Sequence, residues 1–378
     1  MKRIQSILLQ YLEEEINVEE NYENFLIIIS EQKINNDKSK LKELLRLINK
    51  IGNNHQRVSN LIDKIEQILK YFKKAISKYF SNSEIFEIFK GNKRILLFHI
   101  QEKIMIFDEY IYETIKSGKY LKYKYPQYFA SLSTQDYDKT FRKDRYSTSN
   151  YVIEKMMERF QNNFSTKKKG ENDDYLCKII RYDNVKAFND YTMKNNISLQ
   201  SYIKESPYET NVFLLKKNEI KLVEYAAFFG SLNLIRYMNY RGVKLTSRMW
   251  EFAIHSRNTE LIKYLEDKHV PPPRNNYESI LKESIKCHHN DIANYIILSL
   301  INEKELSFNI ENNFYENLYR YSVKYNNYWF FPKNIKYKFL FHYLCEFDYY
   351  ILVKLYVDNE VVNMSCKIAK NDKIFYTI

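Results

Sequence analysis

Glycine and proline are scarce in this chain, six of each in 378 residues. A β-sandwich or barrel of this length turns many times, and tight turns draw on both residues. The scarcity argues against an all-β fold. The glycines, Gly52, Gly91, Gly118, Gly170, Gly230 and Gly242, stand far apart. The Gly-rich bends with which Rossmann domains and P-loops cradle phosphate are therefore missing. Cysteine is as rare: Cys177, Cys287, Cys345 and Cys366 show no paired spacing, and the first 176 residues have none, which fits free thiols in a reducing compartment. Long apolar runs are missing too. Phe25–Ile29 and Ile95–Phe98 fall far short of the roughly 18–20 residues that span a bilayer. Met1-Lys2-Arg3 leads into an amphipathic pattern with Glu13, Glu14 and Glu15, not into the apolar block of a signal peptide. The expectation is a cytoplasmic protein, or a nuclear one, with no membrane partner.

Apolar residues are plentiful. They make up 45% of the chain, enough for a continuous core, and long helices with short connections suit this composition best. Tyrosine (35 residues), isoleucine, asparagine and lysine are heavily used, a bias that the codon supply of an AT-rich genome accounts for. The net charge is +12, and residues 1–170 hold most of it, with 31 Lys/Arg against 22 Asp/Glu. Such a field attracts nucleic acid, acidic lipid or acidic protein. It also serves simply as a solubilising charge.

Ile4, Ile7, Leu8, Tyr11, Leu12 and Ile16 lie on one helical stripe. Leu41, Leu44, Leu45, Ile48 and Ile51 make a second, which Gly52-Asn53-Asn54 is expected to break. A third runs through Val58, Leu61, Ile62, Ile65, Ile68, Leu69, Phe72 and Ile76. Stripes this wide face a core. Residues 117–150 hold no period and read as a loop-rich connection, and residues 151–164 read as helical again. Ser165–Asp174 (STKKKGENDD) is a polar linker and marks the expected boundary between an N-terminal helical region, 1–165, and the array that follows.

That array is an internal repeat. Set beneath Lys221–Leu245, the segment Arg248–Val270 aligns at an offset of 27: Ala226-Ala227 falls over Ala253-Ile254, Leu234-Ile235 over Leu261-Ile262, and Tyr237-Met238 over Tyr264-Leu265. Leu281–Ile296 follows at an offset of 31, and the weaker copy Tyr315–Trp329 at 38. Further copies lie at Phe341–Tyr356 and, upstream, at Leu176–Tyr191, which precedes an insertion at about residues 195–220. In the best copy, the small pair Ala226-Ala227 permits close helix approach, Gly230 suits a left-handed helix end, and Gly242 ends the second helix before Val243. One helix pair cannot bury its apolar face alone, whereas stacked pairs can.

This unit resembles the ankyrin repeat, and the chain is similar to a divergent ankyrin-type family of unknown function expanded in AT-rich protists. The segments YAAFFGSLNLIRYMNYRGVKLT, WEFAIHSRN and LKESIKCHHNDIANYI carry the resemblance, which covers residues 172–363. Residues 1–171 also look like that family's N-terminal region, with Ser81–Phe98 a decayed repeat. The departures are specific. The usual T-P-L-H is Lys221-Leu222-Val223-Glu224 here, and the helix-end glycine becomes Arg257 and then His288. The resemblance implies an all-α, ankyrin-like helical-pair solenoid preceded by an N-terminal helical region, with residues 364–378 an irregular end. That end carries no clear polar capping repeat, as a truncated array would leave it.

The resemblance further implies a non-catalytic scaffold that binds an unidentified protein partner on its concave face. The motif positions after the double-Ala site that would look out there are Phe228, Phe229, His255, Ser256, Lys286 and Cys287, followed by Lys324 and Tyr325, although Phe228 and Phe229 read equally well as packing against a neighbouring hairpin. The second functional reading is nucleic-acid binding through the basic, Tyr-rich stretch Lys119–Arg145, although no DNA- or RNA-binding module signature accompanies it. No cofactor, metal or small-molecule substrate is expected. Cys287-His288-His289 lacks the second ligand pair that zinc wants, and no nucleophile elbow, kinase loop or HExxH is present, so no catalytic residue is assigned. Pro271-Pro272-Pro273 reads as the rigid exit from the second copy, and Trp250 and Trp329 as core.

Overall fold

A computed structural model describes residues 1–55, 60–129, 169–301, 308–331, 338–358, 368–370 and 373–375. The chain is mostly helical. Among the described residues the only strands are Ile368–Lys370 and Lys373–Phe375, a short antiparallel pair. No described helix is long and apolar enough to cross a membrane. The helices form two compact units. One comprises Met1–Lys50 with Tyr277–Ile378, the other Ile51–Asn276.

The Ile51–Asn276 unit opens with the helices Leu61–Tyr71, Lys73–Tyr79, Asn82–Phe89, Lys93–Gln101 and Glu109–Ile115. The starts of the last three are fixed by side-chain caps. Ser81 and Glu84 form a reciprocal capping box, Asn92 Oδ1 accepts from the backbone N–H of Arg94 and Ile95, and Asp108 accepts from Ile111. Each such cap satisfies N–H groups that a helix start leaves orphaned, worth about 1 kcal/mol. The abundant asparagines thus have structural work: Asn184, Asn211 and Asn258 cap later helices in the same way.

Three expectations from the stripes need correction. Gly52-Asn53-Asn54 does not break its helix, which runs Lys38–Asn54; Gly52 is buried with Ile65 and Ile95 3.2 Å from where a Cβ would stand, so it serves close packing. The third stripe is two helices, divided at Phe72. Ile16 lies beyond the end of the Lys2–Glu13 helix and is exposed. Residues 117–129 include two short helices, Gly118–Lys122 and Tyr125–Phe129; the remainder of that connection and the helix expected at 151–164 lie outside the described residues.

The core of this block contains a charge-bearing group. Lys93 is fully buried and its Nζ donates to the carbonyls of Tyr123 and Pro207, both at 3.0 Å, with the rings of Tyr125 and Tyr128 at 5.5 and 5.1 Å. Burial pulls its pKa down to about 7. The Lys93 amine thereby fastens the helical block to residues of the 195–220 insertion. The polar stretch ahead of the repeat is fastened as well. Thr210 donates to the Gly170 carbonyl from both N (3.1 Å) and Oγ1 (2.8 Å), buried Asn172 donates to Lys204 O, and Arg181 donates to Asn172 O. Residues 169–174 are an anchored segment inside one compact unit, not a free linker.

Next come helical hairpins. In the same unit these are Tyr175–Arg181 with Val185–Lys194, Leu222–Phe229 with Leu232–Tyr240, and Met249–Ser256 with Thr259–Asp267. The other unit holds Glu278–Cys287 with Asn290–Tyr295, the long helix Phe308–Lys324, and Lys338–Glu346 with Tyr350–Asp358. One turn recurs in all of them. The first helix of the pair ends on a left-handed residue: Asp183, Gly230, Arg257, His288, Asn326 or Asp348, with φ between +49° and +71°. At Gly230 the next residue's N–H reaches back to Ala226 O (2.9 Å) while Gly230 N–H bonds Ala227 O (3.2 Å), the Schellman pair of bonds that satisfies terminal carbonyls. The same two bonds recur at His288, Asn326 and Asp348. Gly230, Arg257, His288 and Asn326 stand 27, 31 and 38 residues apart, the offsets of the sequence copies. The second helices end alike, at Asn196, Gly242 and His269, each followed by an apolar residue.

The unit containing both chain ends is held by contacts between residues hundreds apart in sequence. Gln5 Nε2 donates to Asn327 Oδ1 (3.0 Å) and Gln5 Oε1 accepts from Tyr328 N–H (2.7 Å). Asn327 Nδ2 also donates to Ile285 O and Asn290 Oδ1. Arg46 grips Asp348 at its carbonyl (2.8 Å) and its carboxylate (2.6 Å), with Lys42 beside it at 3.1 Å. Apolar Leu8, Tyr11, Leu12, Phe25, Leu41, Leu44 and Leu45 pack fully buried beneath.

Candidate partner-binding surface

The residues implied for the concave face do come together within the Ile51–Asn276 unit, but as core. Phe228 stacks on His255 with ring centroids 5.1 Å apart, and Phe213 closes on both, at 5.9 Å from Phe228 and 4.1 Å from His255. Phe228, His255 and Ser256 are buried; Phe229 is half-buried, its ring against Tyr225 and under Arg181. The cause is the insertion at 195–220. It returns to the array through the Tyr202–Lys221 bridge and the Ile203 N–H to Ile220 O bond, and its helix Val212–Lys216 sets Phe213 onto the positions an ankyrin-type groove would leave open. Each aromatic pair of this kind adds about 0.5–1.5 kcal/mol beyond its buried area. Ser256 is occupied locally, donating to Ala253 O at 2.7 Å.

In the other unit, Cys287 is fully buried and Lys286 is 14% exposed at its side chain, its amine paired with Glu283. The motif-derived positions therefore form no open surface. Tyr325 and Lys324 lie at the end of the Phe308–Lys324 helix, with the Lys324 and Lys50 amines near the Tyr325 ring.

A different face of the hairpins is open, on the second helices. Tyr237 and Tyr264 occupy equal places in successive copies. Tyr237 OH donates to Asn189 Oδ1 (2.6 Å) on the preceding hairpin, and Tyr264 OH donates to Asn239 Oδ1 (3.2 Å) on its own predecessor. Cations cover both rings: Arg241 lies 5.8 Å from Tyr237, while Arg236 and Lys268 each lie 5.7 Å from Tyr264. Beside them Tyr240 is 88% exposed. Tyrosine and arginine are the side chains in which interface hot spots are enriched, and here both are held by neighbours. The sequence signal for this face was the Tyr237–Tyr264 register.

The chemistry-bearing residues read differently. Cys287-His288-His289 makes the turn between two helices: His288 takes the left-handed conformation and His289 N–H bonds Ser284 O at 3.1 Å. Burial raises the Cys177 and Cys287 thiols well above their ordinary range, so both are protonated at neutral pH, and the thiolate is the reactive form. Pro273 opens a short 3-10 turn that leaves the second copy. Trp250 is core, its Nε1 donating to Val270 O at 2.9 Å. Trp329 is not core: it is 45% exposed with the Lys2 amine 4.7 Å above its ring. Of the basic stretch Lys119–Arg145, only residues 119–129 are described; there Lys124 pairs with Glu205 at 3.3 Å. No family model, no curated protein and no solved structure matches the chain.

Proposed function

We propose that this chain is a non-catalytic protein-interaction scaffold built of ankyrin-like helical hairpins, and that a protein partner docks on the second-helix face of the 175–270 hairpins. The observation that carries the reading is the repeated Tyr237 and Tyr264 arrangement, each hydroxyl held by an asparagine of the preceding hairpin and each ring covered by cations, beside exposed Tyr240. Pre-held aromatic side chains lose little rotamer freedom on binding, which keeps the cost of association low. The groove positions of an ankyrin-type concave face are filled by Phe213, so the surface moves to the other side of the hairpin.

The test uses the full chain as bait in its native lysate, with and without nuclease, alongside the double variant Tyr240→Ala/Arg241→Ala. Both residues are exposed, so the variant is expected to fold. A protein that survives nuclease on the wild-type chain and is recovered at least tenfold less on the variant supports the reading; a loss that large corresponds to about 1.4 kcal/mol. Equal recovery on both baits overturns the surface. Material lost from both on nuclease treatment moves the function to nucleic acid and the basic N-terminal half.

A further inference from the structure

The unit that holds both chain ends contains a cavity of about 430 Å³. Its walls are mostly apolar, from Ile4, Ile34, Tyr328, Phe331, Ile351 and Leu352. Apolar walls with a few placed polar groups, at this volume, are the usual make-up of a small-molecule site. The polar groups here are biased in sign. The Met1 amine, Lys2 and Lys40 bring positive charge to the lining, and Glu43 is its one acidic residue.

Glu43 does not balance those cations. It is 6% exposed on the Lys38–Asn54 helix, and its Oε1 is closed off from the cavity space. Burial lifts its carboxyl to about 7, against the pull of the Met1 amine and Arg46 and with a further push from Asp37 and Asp348. Near neutral pH a share of the chains therefore carries it uncharged. The lysines, in contrast, have donors to spare. Lys40 Nζ donates to Gln32 O at 3.2 Å and Lys2 Nζ to Trp329 O at 3.4 Å, both bonds exposed. Gln32 is itself on the lining and Trp329 follows the lining residue Tyr328, so the two amines stand at the rim. An ammonium has three N–H groups, and neither amine pairs with a carboxylate among the described residues. Like charges also crowd one another here: burial lowers the pKa of the Met1 amine, Glu43 opposes this, and the Lys40 charge lowers it further.

We propose that this cavity binds an amphiphilic monoanion, an alkyl carboxylate, with its chain against Ile4, Ile34, Phe331 and Leu352 and its head group held at the rim by the Lys2 and Lys40 charges. The chain takes the place of water along the apolar walls. The carboxylate accepts charge-assisted bonds from the spare lysine N–H groups and offsets the excess positive charge of the lining. A neutral alcohol of equal length gains the apolar contact alone, and an amine meets like charges. The proposal concerns a site apart from the hairpin face and does not depend on the scaffold reading.

The experiment is calorimetric titration of the full chain at neutral pH with octanoate, octanol and octylamine. Octanoate is expected to bind about tenfold or more tightly than octanol, as a hydrogen bond to a charged group allows, and octylamine more weakly than octanoate. The double variant Lys2→Gln/Lys40→Gln is expected to cut octanoate affinity about tenfold or more and leave octanol unchanged. Leu352→Trp, which fills the cavity, is expected to weaken both ligands. Should the variants unfold, the wild-type chain still decides: added sodium chloride should weaken octanoate by screening the rim charges and should not weaken octanol. No octanoate binding, equal binding of octanoate and octanol, preferred binding of octylamine, or a folded double variant with undiminished octanoate affinity would each overturn the proposal.

Discussion

His99 shows how one buried side chain sets a pH limit on the whole block around it. It is fully buried on the Lys93–Gln101 helix, its ring 4.5 Å from Phe89 and 5.8 Å from Phe98. Nδ1 lies 2.8 Å from Ile95 O and serves as the donor, and Nε2 has no partner among the described residues. Protonation would put a second N–H, and a full charge, into apolar surroundings, so burial pulls the pKa from 6.5 down to about 4. Between those two values the unfolded chain holds a proton that the folded chain lacks. Stability is therefore complete above pH 6.5 and falls as pH drops toward 4, by an amount on the order of 3 kcal/mol. Urea unfolding of the wild-type chain and of His99→Phe at pH 7 and pH 4.5 measures it. The gap between the two midpoints should move in favour of the variant at the lower pH; a constant gap would mean that His99 stays neutral for another reason or is solvated.

At the scale of elements, the hairpin turns separate what glycine does from what position demands. Gly230 has φ +71°, and a Cβ there would stand 3.3 Å from Asn258 Cβ, Asn258 Nδ2 and Ser256 Cβ. Asn258 is also the cap of the next second helix and donates to Gly230 O at 3.0 Å, so it cannot readily yield. Gly242 has φ +88° and open space around it. Gly230→Ala should thus cost about 2–3 kcal/mol, strain plus crowding, and Gly242→Ala about 1 kcal/mol, strain alone. Arg257→Gly should stabilise by about 0.5–1 kcal/mol, because Arg257 holds φ +53° without being glycine. Thermal unfolding of the three variants checks the order; a Gly242→Ala as harmful as Gly230→Ala would remove the crowding argument. These turns also mark how far the sequence reads. Gly230 and Gly242 were legible as helix ends because only glycine enters that region without strain. Arg257 and His288 were located by register with Gly230, not by residue type. What covers Phe228 and His255 was illegible, since the covering residue, Phe213, comes from an insertion outside the repeat.

At the scale of the molecule, the chain's linear order misleads about which parts depend on one another. Its composition and stripes pointed to helices, and helices are what form. The polar stretch STKKKGENDD looked like the seam between two regions, but residues 169–174 are tied into the Ile51–Asn276 unit through Thr210, Asn172 and Arg181. The first fifty residues belong instead with Tyr277–Ile378, through bonds such as Gln5 to Asn327 and Arg46 to Asp348. No local pattern announces a pairing across more than 300 residues; periodicity reports which face of a helix is apolar, not what covers it. A consequence can be measured with fragments. Residues 51–276 contain all the described helices of their unit except the Lys38–Asn54 helix, of which they keep only the last turn, and the buried groups that bond one another inside it, including Lys93 with its two carbonyls, so this fragment should unfold cooperatively. Residues 172–378 contain all the copies of the repeat, yet they lack Gln5, Lys42 and Arg46 and would bare the surfaces that Leu8, Leu41 and Leu44 cover. If stability came from nearest-neighbour stacking of repeats alone, the 172–378 fragment would be the better folded of the two. Circular dichroism through a urea titration should find the reverse, a sharp transition for 51–276 and a shallow one for 172–378, because the closing contacts of the second unit come from the beginning of the chain.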